Sequence, residues 1–316
     1  MGGATPDVTR PHWRAAVGGI AVIAATSVAA WALGRPQNAL SGTAVRAAAD
    51  CAAIVTLGLA VVPLLDTGRY RGELSRSAAV PLAVSAAVWL LAELVRMVVV
   101  SAQTAALAVG TVGVHTYFEF LTHTAAGRAG AVSVVAAAAV CGAAVAAPRT
   151  TPVALATTGI AASGLAARTV AGHLTESPLG GLAVAVHAVA AGLWCGALVG
   201  LLVTVAHRGR WARVLPRFSA LALACVGVLV VAGGVGALVT VDSPAELVTT
   251  GYGRLLTAKL LVTAVLTVLA WRNRSRWLPA ARGHRASAGL SRTRSLVELA
   301  VMTVALTVAA ALAVTG

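Results

Sequence analysis

The chain has 316 residues, of which 59% are hydrophobic and only 11% charged, with a mean hydropathy of +0.87. That composition lies far outside the soluble globular range and identifies an integral membrane protein. The formal net charge of +14 would suit a nucleic-acid partner, but the basic residues fall in short clusters between apolar runs rather than along one face. No nucleic acid is therefore expected, and the charge is topological.

A helix crosses a bilayer in about 20 apolar residues, and nine such runs follow one another. They are roughly Ala15 to Leu33, Ala44 to Leu65, Ala78 to Val99, Ala129 to Ala147, Pro152 to Val170, Gly180 to Val205, Ser219 to Val241, Leu255 to Trp271 and Leu296 to Val314. The runs are continuous rather than alternating and rich in Ala, Leu and Gly, which argues against strands. The predicted fold is all-α, a polytopic transmembrane helical bundle. Residues 1–171 form an amino-terminal region of five spans and residues 172–316 a carboxyl-terminal region of four.

Ahead of the first span stand Arg10 and Arg14, and "AWA" at Ala30 to Ala32 resembles a signal-peptidase site, so a cleaved leader is the alternative reading there. With the amino terminus in the cytoplasm, 17 of the 24 basic residues fall on the cytoplasmic side, as short positive loops require. The carboxyl terminus is then extracytoplasmic. Segment 101–127, "AQTAALAVGTVGVHTYFEFLTHTAAG" with its flanking serine, is apolar enough to tempt a tenth crossing, but counting it would reverse every later loop. It reads instead as an outer, partly helical segment at the interface, with Tyr117, Phe118 and Phe120 as interfacial aromatics.

Cys51, Cys141, Cys195 and Cys225 all lie within spans and form no CxxC, so neither a disulfide framework nor a zinc knuckle is indicated. No Gly-rich phosphate loop or soluble catalytic domain is present, which excludes an ATP-driven pump within this chain. No organic cofactor and no enzymatic activity are expected.

Ionisable residues within spans are costly and usually face a bundle interior or a polar cavity. At 1.5 Å per residue, Asp50 and Cys51, Glu93, His187 and Lys259 fall at one depth, about 10 Å below the outer surface, with Arg96 and Met97 one turn above Glu93. Two readings stand. Asp50 and Glu93 can neutralise Arg96 and Lys259 as buried pairs that fix helix register, with His187 hydrogen-bonded to one of them. Alternatively His187, with Cys51, Met97 or a carboxylate, offers a site to a cation from outside, since imidazole, thiolate and thioether suit copper. His115, Glu119 and His123 in "HTYFEFLTH" recur every four residues and form a second candidate metal face, or else the wet face of an interfacial helix. His173 in "GHLTES" lies above the sixth span, in position to pass an ion toward His187. Within that span His187 and Trp194 share one helical face, and Gly192, Gly196 and Gly200 form a ridge on the other, for which the glycine-rich seventh span is the expected neighbour.

The series "GHLTESPLGGLAVAVHAVAAGLWCGAL", "RFSALAL", "YGRLLTAKLL", "NRSRWLP" and "VELAV" resembles the CopD family of bacterial copper-resistance membrane proteins, from about Gly172 to the end. The resemblance assigns His187, Trp194 and Gly196 to a first motif, Arg217, Phe218 and Ser219 to a second, Tyr252, Gly253, Arg254 and Lys259 to a third, and Glu298 to an acidic position near the start of the last span. It implies a copper-handling protein of the bacterial cytoplasmic membrane. Copper import is the first expectation, with a CopC-type periplasmic copper-binding protein as partner. Delivery of copper to cytochrome oxidase assembly without transport is the alternative, and a haem or quinone redox protein a third. The sequence departs from a Met-lined conduit, since Met1, Met97 and Met302 are its only methionines. Imidazole, carboxylate and cysteine must then carry any coordination.

Overall fold

The computed structural model describes residues 12–35, 40–169, 178–240, 245–277 and 288–315. Every regular element among them is helical: α1 (His12–Leu33), α2 (Leu40–Val61), α3 (Gly68–Thr104), α4 (Val114–His123), α5 (Ala125–Ala146), α6 (Thr151–Thr169), α7 (Pro178–Thr204), α8 (Arg208–Thr240), the single turn α9 (Glu246–Thr249), α10 (Gly251–Arg272) and α11 (Ala288–Thr315). Helices of 19 residues or more coincide with all nine apolar runs. Seven of them are long and apolar enough to cross a membrane, and α1 and α6 are not among those seven. The protein is thus a multi-pass helical membrane protein.

Helix α3 shows how the apolar runs sort their faces. Val80, Val84, Val88, Leu91 and Val95 form an exposed aliphatic stripe, whereas Trp89, Glu93, Arg96 and Met97 on the opposite face are buried. Lipid solvates the stripe as well as a protein core would, so the polar groups are the ones that must turn inward. Helix α4 has ten residues, about 15 Å at 1.5 Å per residue, too short to cross. Its aromatics correct the sequence expectation. Phe118 is exposed, but Phe120 is buried against α5 and the Tyr117 hydroxyl donates to Met97 Sδ at 3.8 Å. Burial pushes the Tyr117 phenol above its ordinary pKa.

Helix α2 is the most buried of the seven spanning helices and packs against α1, α3, α6, α7 and α11. Its contact with α7 is backbone on backbone. A methyl group built on Gly196 would stand 2.2 Å from the Ile54 carbonyl oxygen, and one built on Gly58 would overlap the Gly196 carbonyl. The ridge Gly192, Gly196 and Gly200 therefore serves α2 rather than α8, contrary to the expectation from the glycines of the seventh span. Gly227 and Gly234 on α8 face open space. Small residues on a membrane helix allow this close approach, and the gain is van der Waals contact that lipid cannot match.

At the arginine-rich end, α8 is clasped to the turn between α2 and α3. Arg213 lies 3.4 Å from the buried Asp66 carboxylate and stacks over Tyr70 at 4.1 Å, and Arg210 donates to Glu73 at 3.0 Å. The basic cluster thus has packing work beyond setting topology.

Candidate functional site

Near the end of the bundle opposite the arginine clusters, the expected layer of ionisable residues divides in two. On one side of α2, Glu93 is wholly buried and accepts from Arg96 Nε at 2.9 Å and from Arg168 Nη1 at 2.9 Å. Arg168 Nη2 also lies 2.9 Å from Asp50 Oδ1, and Arg46 Nε approaches Asp50 Oδ2 to 3.8 Å. Three guanidiniums and two carboxylates from α2, α3 and α6 form this network. Arg168 is its bridge. It stands in the last turn of α6, and its side chain runs inward to the carboxylates instead of out toward the headgroups.

Lys259 is not part of this network, and among the described residues it pairs with no carboxylate. It lies beside His187 instead. The two carboxylates therefore pair with Arg96, Arg168 and Arg46, not with Arg96 and Lys259. Nor is His187 hydrogen-bonded to either acid. Its ring sits between α7 and α8, with Cε1 3.3 Å from the point where Gly233 would carry a methyl group and the Leu229 backbone alongside. Its Nδ1 is buried without a hydrogen-bond partner.

The contact of His187 with Gly233 fixes the register of two helices that are joined by a short link and run antiparallel. Cys195 is eight residues beyond His187 on α7, and Cys225 is eight residues before Gly233 on α8. Both cysteines thus lie at a level about 12 Å deeper than the imidazole. They are buried in one cluster with Trp194 and Met302. The electrostatic neighbours of Cys195 are Cys51, Glu298 and Cys225, and Glu298 in turn accepts from Asn273 Nδ2 at 2.5 Å and faces the Trp194 indole. The sequence singles out Cys51 as a candidate ligand but neither Cys195 nor Cys225. Their equal distance from the His187 contact is the signal that depth counting could have supplied.

Of the remaining candidates, Met97 turns to Tyr117 and Gly130, where its sulfur lies 3.0 Å from the point a Gly130 methyl would occupy. His115 Nδ1 and Glu119 Oε2 come within 3.5 Å on the exposed face of α4, whereas His123 bonds to Thr122 Oγ1 at 3.0 Å. Among the described residues no three His, Cys, Asp or Glu side chains gather tightly enough to hold one ion. His173 lies outside the described residues. The motif residues act as fasteners: Phe218 is buried, Ser219 Oγ accepts from Arg274 at 2.8 Å, and Arg217 donates to the Leu65 carbonyl at 3.4 Å. Gly253 N donates to Thr250 Oγ1 at 2.9 Å, and Arg254 caps the Leu33 carbonyl at 3.0 Å. Tyr252 packs at the edge of the small core between α1, α10 and α11.

Comparison with known proteins adds two family models. The copper resistance protein D-like amino-terminal domain matches residues 38–181, and copper resistance protein D matches residues 212–312. The amino-terminal half therefore shares the family likeness, which the sequence motifs had placed only from Gly172 onward. The part of α7 that carries His187 and Trp194 falls between the two matches. No curated protein and no solved structure matches the chain. Taken with the multi-pass helical fold, the two matches place the chain in the copper resistance protein D family, a copper resistance protein of the membrane.

Proposed function

We propose that the protein carries copper across the bacterial cytoplasmic membrane from the extracytoplasmic side, with the arginine-rich end in the cytoplasm, and that it is a carrier rather than an enzyme. The observation that supports this most is the unpartnered Nδ1 of His187 above the paired level of Cys195 and Cys225. A buried polar nitrogen without a partner is costly, and the imidazole, cysteine and thioether groups that succeed one another along α7, α8 and α11 are the donor types copper prefers. His187 receives the ion first, with Cys51 near the same level; Cys195, Cys225 and Met302 offer sulfur at intermediate depth, and Glu298 stands nearest the cytoplasm. Separated donors of this kind favour transfer from one to the next.

The exposed His115 and Glu119 pair favours a capture step at the outer surface, where a CopC-type protein would hand over copper. It also supports the second reading, delivery to an oxidase assembly partner without transport. Proteoliposomes decide between them. Wild-type protein accumulates copper and His187→Ala does not; equal uptake by both removes His187 from the path. Outer copper binding without any flux supports delivery.

A further inference from the structure

Among the described residues the charge network leaves one positive charge unmatched. Arg46 is its loosest member: Nε is buried, 3.8 Å from Asp50 Oδ2, and has no hydrogen-bond partner. Arg96 commits Nε and Nη2 to Glu93, and among the described residues Nη1 makes no hydrogen bond. Arg46 and Arg96 both line a cavity of about 40 Å³ that is completed by Gln103, Gly42 and apolar side chains of α2, α3 and α11. Gln103 Nε2, a donor, lies 3.5 Å from where a Gly42 methyl would stand. Among the described residues the charged groups that act on Arg46 are Asp50, Arg168, Arg96 and Glu93, and no further carboxylate of theirs reaches this corner.

We propose that this cavity binds a small monovalent anion, held by the Arg46 and Arg96 guanidiniums and the Gln103 amide. The two guanidiniums and Gln103 Nε2 are donors, the space exceeds that of one water molecule, and one bound anion brings the network to three positive and three negative charges. Uncompensated charge in a bilayer is expensive, and arginine guanidiniums bind anions through several parallel N–H groups. The anion is either free in solution, such as chloride, or the phosphodiester of a lipid headgroup reaching in from the adjacent leaflet. Occupancy also removes the repulsion that an unmatched guanidinium would exert on an entering cation, although the inference stands without the copper reading.

Thermal unfolding of the purified full-length protein in neutral detergent, read by tryptophan fluorescence, tests it without copper. Replacing gluconate by chloride at constant ionic strength is expected to raise the apparent Tm saturably. A short-chain phosphatidylglycerol added in gluconate identifies the lipid source if it alone gives the shift. Arg46→Gln, which balances the network at two charges of each sign, is expected to lose the shift while keeping the Tm of the unliganded protein. Chloride-35 NMR line broadening that is lost in Arg46→Gln gives the same answer should the variant fold poorly under heat. Absence of any saturable shift with either anion in the wild type, or an undiminished shift in Arg46→Gln, overturns the proposal.

Discussion

Replacing Glu93 by Gln isolates what the charge network contributes. Glu93 is 0% exposed and accepts from two guanidiniums at 2.9 Å, so the amide keeps the shape and one acceptor oxygen but removes the charge. Three arginines then face the single carboxylate of Asp50, and Arg96 loses its only ionic partner among the described residues. Removing one member of a buried ion pair costs about 3–5 kcal/mol, because the cost is set by the charge left behind. Arg46→Gln removes a guanidinium paired loosely, at 3.8 Å, and the same reasoning gives about 0–1 kcal/mol, as for an exposed pair. Unfolding of both variants in mixed micelles titrated with a denaturing detergent measures the contrast. If Glu93→Gln lies within about 1 kcal/mol of the wild type, the scale set by buried pairs does not apply here. Equal losses in the two variants would mean that the network does not depend on how tightly each partner is held.

Two further predictions concern packing. Gly58→Ala is expected to lose about 1–3 kcal/mol, the usual range for overpacking, because its methyl group overlaps the Gly196 backbone. Gly234→Ala, which meets nothing within 4 Å, should be neutral or gain up to about 1 kcal/mol from helix propensity. The same unfolding assay separates them, and equal effects would remove the close α2–α7 contact from the account. At the arginine-rich end, Asp66→Asn weakens hydrogen bonds to a charged partner and is expected to cost about 1.5–3 kcal/mol. Amide exchange at the α2–α3 turn and the start of α8 should rise together, and a rise at only one of them would show that Arg213 does not couple the two.

The sequence made the helices legible because lipid imposes one demand on each: enough consecutive apolar residues to cross. It made the pair of Glu93 with Arg96 legible as well, at a helical spacing of three; Arg46 stands four residues from Asp50, a spacing that signals that pair too, although matching by depth favours Lys259. Depth alone could not say which of several residues at one level share a side of a helix. It grouped His187 and Lys259 with Asp50 and Glu93, whereas α2 stands between the two sets. Arg168 escaped for a related reason. Counting places its Cα at the helix end, but the guanidinium lies several ångströms away along a flexible stem, and the buried Glu93 and half-buried Asp50 carboxylates outweigh the headgroup region in drawing it. The glycine ridge was legible as a ridge. Its partner was not, because α2 offers a single facing glycine, Gly58, where α8 offers several that meet nothing.

Asp50 and Cys51 show why the division around α2 matters for function. Adjacent residues on a helix point about 100° apart, and here the first turns to Arg168 of α6 while the second is an electrostatic neighbour of Cys195 on α7. One peptide unit thus separates a region dominated by guanidinium from one furnished with sulfur. On the path proposed above, a soft cation passing Cys195 and Cys225 would be kept from the three arginines by the body of α2, which the Gly58–Gly196 contact holds against α7. The separation predicts opposite phenotypes for neighbouring substitutions. Cys51→Ser should reduce copper accumulation in proteoliposomes while leaving unfolding unchanged. Asp50→Asn should destabilise the protein, by about 1–3 kcal/mol for a partly exposed partner of a buried guanidinium, while folded protein transports normally. Loss of transport in folded Asp50→Asn would mean that the cation passes through the charge network, and that α2 divides nothing.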